Sequence, residues 1–177
     1  MMEAIAHLAE AGRLYVLIAL LLAAWGKSIG FVRFRETLAE SFPGVRNAAA
    51  LIALAIVAAE WSIAGMLLGG GAASRVGLAA ALALFSLFAA VIAWSLIRDR
   101  AIVCSCFGTS SHRISIYDLF RNLLFIGASA FALRYLSPAM SIEPVAQAAL
   151  AGIAIIVLLL STALQDIVLL LRAKTGE

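Results

Sequence analysis

Cys104-Ser105-Cys106-Phe107-Gly108 places the only two cysteines of the chain one residue apart. They stand in a polar interval, with Asp99-Arg100 before them and Thr109-Ser110-Ser111-His112-Arg113 after. A buried cysteine in an apolar helix is usually just a small hydrophobe, but this setting is polar and points to thiol chemistry. Residues two apart have Cα atoms about 5.5–7 Å apart, which overlaps the disulfide range only if the backbone turns. A Cys-x-Cys disulfide is therefore expected to be strained and readily exchanged. Arg113, Arg121, His112 and a helix start a few residues on favour the thiolate, whereas Asp118 opposes it. Metal binding is the competing chemistry. Two thiolates and His112 make three ligands where structural zinc takes four, and the usual spacings are absent, so no metal site is assigned.

The second chemical class is ionisable residues inside apolar runs. Glu60, beside Trp61, lies deep in its run, where a carboxylate costs at least about 2.5 kcal/mol unless neutral or paired. It should face the bundle interior. Lys27, Arg121 and Asp166 lie within about two turns of one end of their helices and are expected to form a polar cluster beneath the cysteine segment. Asp118, Arg121 and Asn122 share a helix face by three-and-four spacing. For Lys27 the alternative is snorkelling to the headgroups. Glu60 is about 10 Å deeper than Lys27 by helix rise, so the two need not touch.

The elements that must position these groups are membrane helices. Hydrophobic residues make up 64% of the 177-residue chain and charged residues 13%, and apolar stretches of about 20 residues recur, long enough for a hydrocarbon core of about 30 Å. The expected fold is a single all-α bundle of four to five transmembrane helices over residues 1–177, with spans at 14–30, 48–68, 76–97, 116–135 and 145–171. Phe42-Pro43-Gly44 and Gly69-Gly70-Gly71 separate the early spans. Ser115 followed by Asp118 reads as a capping box at the start of the fourth. The first span shows no small-x-small cleavage site, so it reads as a retained helix rather than a signal peptide.

Loop cations set the expected orientation. One side receives Arg13, Arg75 and Arg134, and the other receives Lys27, Arg33, Arg35, Arg46, Arg98, Arg100, Arg113, Arg121, Arg172 and Lys174. The richer side is expected in the cytoplasm. That puts the N-terminus outside, the cysteine segment inside, and Tyr15 and Tyr135 near the outer interface. Gly26/Gly30 and Gly65/Gly69 match the small-xxx-small packing spacing, which an alanine-rich chain produces freely. No phosphate loop, nucleophile triad or haem-attachment motif is present, and topology explains the cations without nucleic acid.

Lys27, Glu60, Cys104, Cys106, Phe107, Gly108, Arg121 and Asn122 together resemble the pattern of the methylamine-utilisation MauE family, within the DoxX-like group of membrane proteins. Glycine commonly separates the cysteines in that pattern, and Ser105 takes its place here, narrowing the turn geometries. The resemblance implies a multi-pass protein of the bacterial inner membrane that helps mature the exported, disulfide-rich small subunit of methylamine dehydrogenase. It also implies a thioredoxin-like partner such as MauD. Three function classes fit the residues: a thiol-disulfide redox protein cycling Cys104 and Cys106 against such a partner or a membrane quinone, a non-catalytic assembly factor, and a small-molecule transporter running past Glu60 and Asp166. No inverted repeat supports the last.

Overall fold

The computed structural model describes residues 2–98, 115–136 and 144–175, with side chains for 3–98, 115–136 and 145–161. All the described elements are helical: α1 (Met2–Ile29), α2 (Phe31–Ser41), a 3-10 turn (Pro43–Ala48), α3 (Ala49–Leu68), α4 (Gly71–Ile97), α5 (Ile116–Tyr135) and α6 (Pro144–Thr175). Four helices are long and apolar enough to cross a membrane, over Glu3–Ile29, Pro43–Leu68, Gly71–Ile97 and Ile116–Tyr135, and Val145–Ser161 is a shorter apolar stretch.

The helix boundaries follow from local chemistry. Gly70 and Gly71 have φ of 67° and 53°, a left-handed region that glycine enters without steric cost, and so the chain reverses between α3 and α4 in two residues. Pro43 cannot continue α2 and instead opens the 3-10 turn. At α5 the Ser115 backbone N–H and hydroxyl both donate to Asp118 Oδ2, at 2.9 and 3.1 Å. This is the expected capping box, and the fourth span begins and ends where the sequence placed it.

Three expectations about the helices change. α4 starts at Gly71, about five residues before the expected start at 76, because left-handed Gly70 and Gly71 complete the reversal at once. The first helix starts at Met2, about three turns before the expected start at Leu14. The charges of Glu10 and Arg13 neutralise each other inside the bundle, so the helix runs through them. The stretch expected to be a loop after the first span contains α2, whose 11 residues include none that is buried. Its mixed polar sequence hid a helix too short to span.

α1 is the axis of the bundle, packed against α3, α5 and α6, while α4 packs against α3 and α5. The core joins Val16, Leu17 and Leu20 of α1 to Leu67 of α3, Leu78 and Phe85 of α4, Phe125 of α5 and Leu158 of α6. Leu51, Leu87, Ile97, Leu123 and Ile153 face outward, an apolar exterior suited to lipid rather than water. Close helix approach occurs at Gly77 and Gly12. A Cβ on Gly77 would lie 3.0 Å from Met66 Cβ and 3.1 Å from Leu67 Cδ2, and one on Gly12 would lie 3.2 Å from the Ala128 carbonyl, whereas Gly65 faces open space. Tyr15 also departs from expectation: it is a core residue, 7% exposed, with its ring 5.1 Å from that of Phe125. Tyr135, by contrast, is exposed.

Candidate functional site

Lys27 and Glu60 form a buried ion pair. Lys27 Nζ donates to Glu60 Oε1 at 2.5 Å, and the two side chains are 3% and 1% exposed. The expectation that they need not touch is corrected here. Arg13 reaches the Leu67 carbonyl while Lys27 reaches Glu60, so α1 and α3 run antiparallel. Side chains lean toward the N-terminus of their own helix, which in antiparallel neighbours means toward each other along the axis. The two stems thereby close the depth difference that helix rise implies. Snorkelling is also ruled out for Lys27, whose head group is directed into the bundle.

Lys27 Nζ lies 5.7 Å from the centroid of the Phe34 ring on α2 and 5.8 Å from that of Phe88 on α4, distances at which an aromatic face attracts a cation. Glu60 Oε2 is buried and has no hydrogen-bond partner among the described residues. Beside the pair, Trp61 Nε1 donates to Ser28 Oγ at 3.2 Å on an exposed rim.

A second polar knot anchors the start of α5. Arg121 donates to Asp118 Oδ1 at 2.9 Å and Asn122 Nδ2 donates to the Asp118 carbonyl at 3.1 Å. All three residues are buried. Asp118 thus serves the helix cap with one oxygen and the arginine with the other, which holds the first turn of α5 rigidly where the thiol-bearing connection rejoins the bundle. Of the residues expected in one cluster, Lys27 and Arg121 belong to two separate ion pairs. Cys104, Cys106, His112 and the Asp166 side chain lie outside the described residues.

Sequence reading missed a third network, at the opposite end of α1. Arg13 forms a two-pronged ion pair with Glu10, with Nε 2.9 Å from Oε2. Its remaining arm donates to the Leu67 carbonyl, which Ser74 Oγ also reaches at 3.0 Å. Gln147 Nε2 donates to Glu10 Oε1 at 3.2 Å. One arginine therefore links α1 to the C-terminal end of α3, where a cation is favoured, and Glu10 extends the network to α6. The available signal was the opposite-charge spacing of three between Glu10 and Arg13.

A helical bundle with an apolar exterior, a buried ion pair between two of its helices, two more within helices and a cysteine pair in a connection is a membrane protein of the polar-cored type. The family model described as methylamine utilisation protein MauE matches residues 5–135. The chain belongs to that family and is a methylamine-utilisation-related membrane protein. The matched region covers α1 to α5 and includes Cys104, Cys106 and all three polar networks except Gln147. No curated protein and no solved structure matches the chain.

Proposed function

We propose that this protein is a multi-pass thiol-disulfide redox factor of the bacterial inner membrane. In this reading Cys104 and Cys106 cycle between dithiol and disulfide during maturation of the exported methylamine dehydrogenase small subunit. The observation that carries it is the Ser115–Asp118–Arg121 knot, which fixes the helix that begins ten residues after Cys106. A strained, exchangeable pair needs such a rigid base to be presented repeatedly to a partner. Family membership supports the pathway, and a thioredoxin-like partner such as MauD supplies or removes the electrons. The transporter reading, a path past Glu60 and Asp166 with no inverted repeat behind it, loses support because Glu60 is tied to Lys27.

The orientation proposed from the sequence is retained on a revised charge distribution. Arg13 is paired and buried, leaving Arg75 and Arg134 exposed on the side assigned to the outside, whereas Arg33, Arg35, Arg46 and Arg98 are exposed on the other. The cysteine segment is accordingly assigned to the cytoplasmic face. Replacing Cys104 or Cys106 by serine is expected to abolish maturation of the client while leaving the level of this protein unchanged. Normal maturation in both variants would reject the redox role in favour of a non-catalytic assembly factor. Labelling with a membrane-impermeant thiol reagent in intact cells, with and without reduction, reports the side and the redox state.

A further inference from the structure

We propose that Lys27 and Glu60 are the head-group site for a lipid-soluble quinone, which enters by displacing Phe34. The proposal rests on the redox reading for its electrons and on separate geometry for its site. Glu60 Oε2 is a buried acceptor with no partner among the described residues. Its residue is 1% exposed, and an unsatisfied polar atom of that kind marks a place where a donor is missing. The Lys27 ammonium has three N–H donors, one of which goes to Glu60 Oε1, and aromatic rings stand over it on two sides.

The missing ligand must bring an acceptor for lysine, a donor for the carboxylate and a flat ring to lie against phenylalanine. It must also come from the lipid phase, since the pair lies between apolar helices. A quinone offers the carbonyl and the ring, and its reduced form offers the hydroxyl. The pair is closed as it stands, and α2 is the removable wall. No residue of α2 is buried, and the helix joins α1 through Gly30, whose φ of −93° and ψ of 27° break the helical run. Phe34 is carried on that helix.

The site also lies at the right end of the molecule. Gly12 packs against Ala128 and Ala132, and about four turns further along antiparallel α1 and α5, Lys27 reaches the level of the start of α5. The connection bearing the thiols leaves from Arg98 and returns at Ser115, at this same end. The chemistry balances: two S–H bonds break, one S–S bond forms, and two electrons and two protons pass to the quinone oxygens to give the quinol. Lys27 donates to a carbonyl of the quinone, and the Glu60 carboxylate accepts from a hydroxyl once the quinol has formed.

The test uses the full-length protein in lipid nanodiscs and a short-chain ubiquinone, read by quenching of tryptophan fluorescence, with Trp61 beside the site. Saturable quenching is expected in the wild type and in the Cys104→Ser/Cys106→Ser double variant. Lys27→Met/Glu60→Leu, which removes the pair without stranding a charge, should weaken binding about tenfold or more while keeping helical circular dichroism. Glu60→Gln should weaken it less, because its amide oxygen still accepts from Lys27. Absence of saturable quenching in the wild type, or unchanged affinity in the folded Lys27→Met/Glu60→Leu variant, overturns the proposal. Saturable, pair-dependent binding without quinone reduction by the dithiol protein supports the site and rejects electron transfer from the thiols to the quinone held there.

Discussion

Breaking the Lys27–Glu60 pair one residue at a time should cost unequal amounts, and the inequality follows from what each partner retains. Lys27→Met strands a carboxylate whose other oxygen already lacks a hydrogen bond among the described residues. Removing one member of a buried pair costs about 3–5 kcal/mol. Glu60→Gln leaves a carbonyl oxygen within reach of Lys27, and the ammonium keeps both aromatic faces. The retained charge-assisted hydrogen bond is worth about 1.5–3 kcal/mol, which leaves a loss of about 1–3 kcal/mol. Lys27→Met/Glu60→Leu removes both desolvation costs together and should fall within about 1 kcal/mol of the wild type, or above it. Unfolding in mixed micelles by denaturant titration, followed by far-ultraviolet circular dichroism, should therefore rank the midpoints with Lys27→Met lowest, Glu60→Gln intermediate, and the double variant beside the wild type. A double variant as unstable as Lys27→Met would show that the stranded carboxylate is not the source of that variant's loss. Glu60→Gln falling below Lys27→Met would refute the account of what each side chain retains.

The remaining expectations concern the other end of α1 and the packing of the bundle. Arg13→Met should destabilise by about 3–5 kcal/mol, because it strands buried Glu10 and removes a donor from the Leu67 carbonyl; the same micelle titration checks it, and a loss below 1 kcal/mol counts against the network. Gln147→Leu removes one hydrogen bond from α6 and should cost only about 0.5–1.5 kcal/mol, measured as faster amide exchange at the start of that helix. Gly77→Leu inserts side-chain atoms where even a Cβ meets Met66 and Leu67 at 3.0–3.2 Å, and overpacking of this kind should lower the unfolding midpoint by about 1–3 kcal/mol.

Apolar length and turn residues made α3, α4 and α5 legible, since a helix in lipid needs little beyond sustained hydrophobicity and punctuation. The α5 start was legible to the residue because Ser115 and Asp118 form a local motif. Tertiary contact decided what was misread. The first span was expected from Leu14, whereas α3 and α6 supply partners that allow the charges of Glu10 and Arg13 to be buried in the turn before it. Glu60 was legible as an interior residue from its cost in lipid. Its partner was not, because depth along a helix axis ignores the direction in which side chains lean. Tyr15 illustrates the same limit: an amphipathic ring near a helix end suits an interface, yet the Phe125 and Phe85 rings provide an aromatic core for it instead.

These contacts bear on how one thiol pair could serve an exported client. α1 carries a network near each end, and the end held by Arg13 is closed by hydrogen bonds to α3 and α6. The chain has two cysteines in all, so it holds no second pair to receive electrons at that end. On the proposed orientation the thiols face the cytoplasm, where dithiols are kept reduced, while disulfides of an exported protein form outside. A carrier that diffuses within the bilayer can take electrons from the dithiol at one face and deliver them as quinol at the other, where they reduce and reshuffle client disulfides rather than form them, without the bundle having to expose one site alternately to both. The quinone site and the orientation are therefore linked. If impermeant labelling places Cys104 and Cys106 outside, exchange with an exported thioredoxin-like partner suffices; if it places them inside, the redox reading requires a carrier such as the one assigned to Lys27 and Glu60.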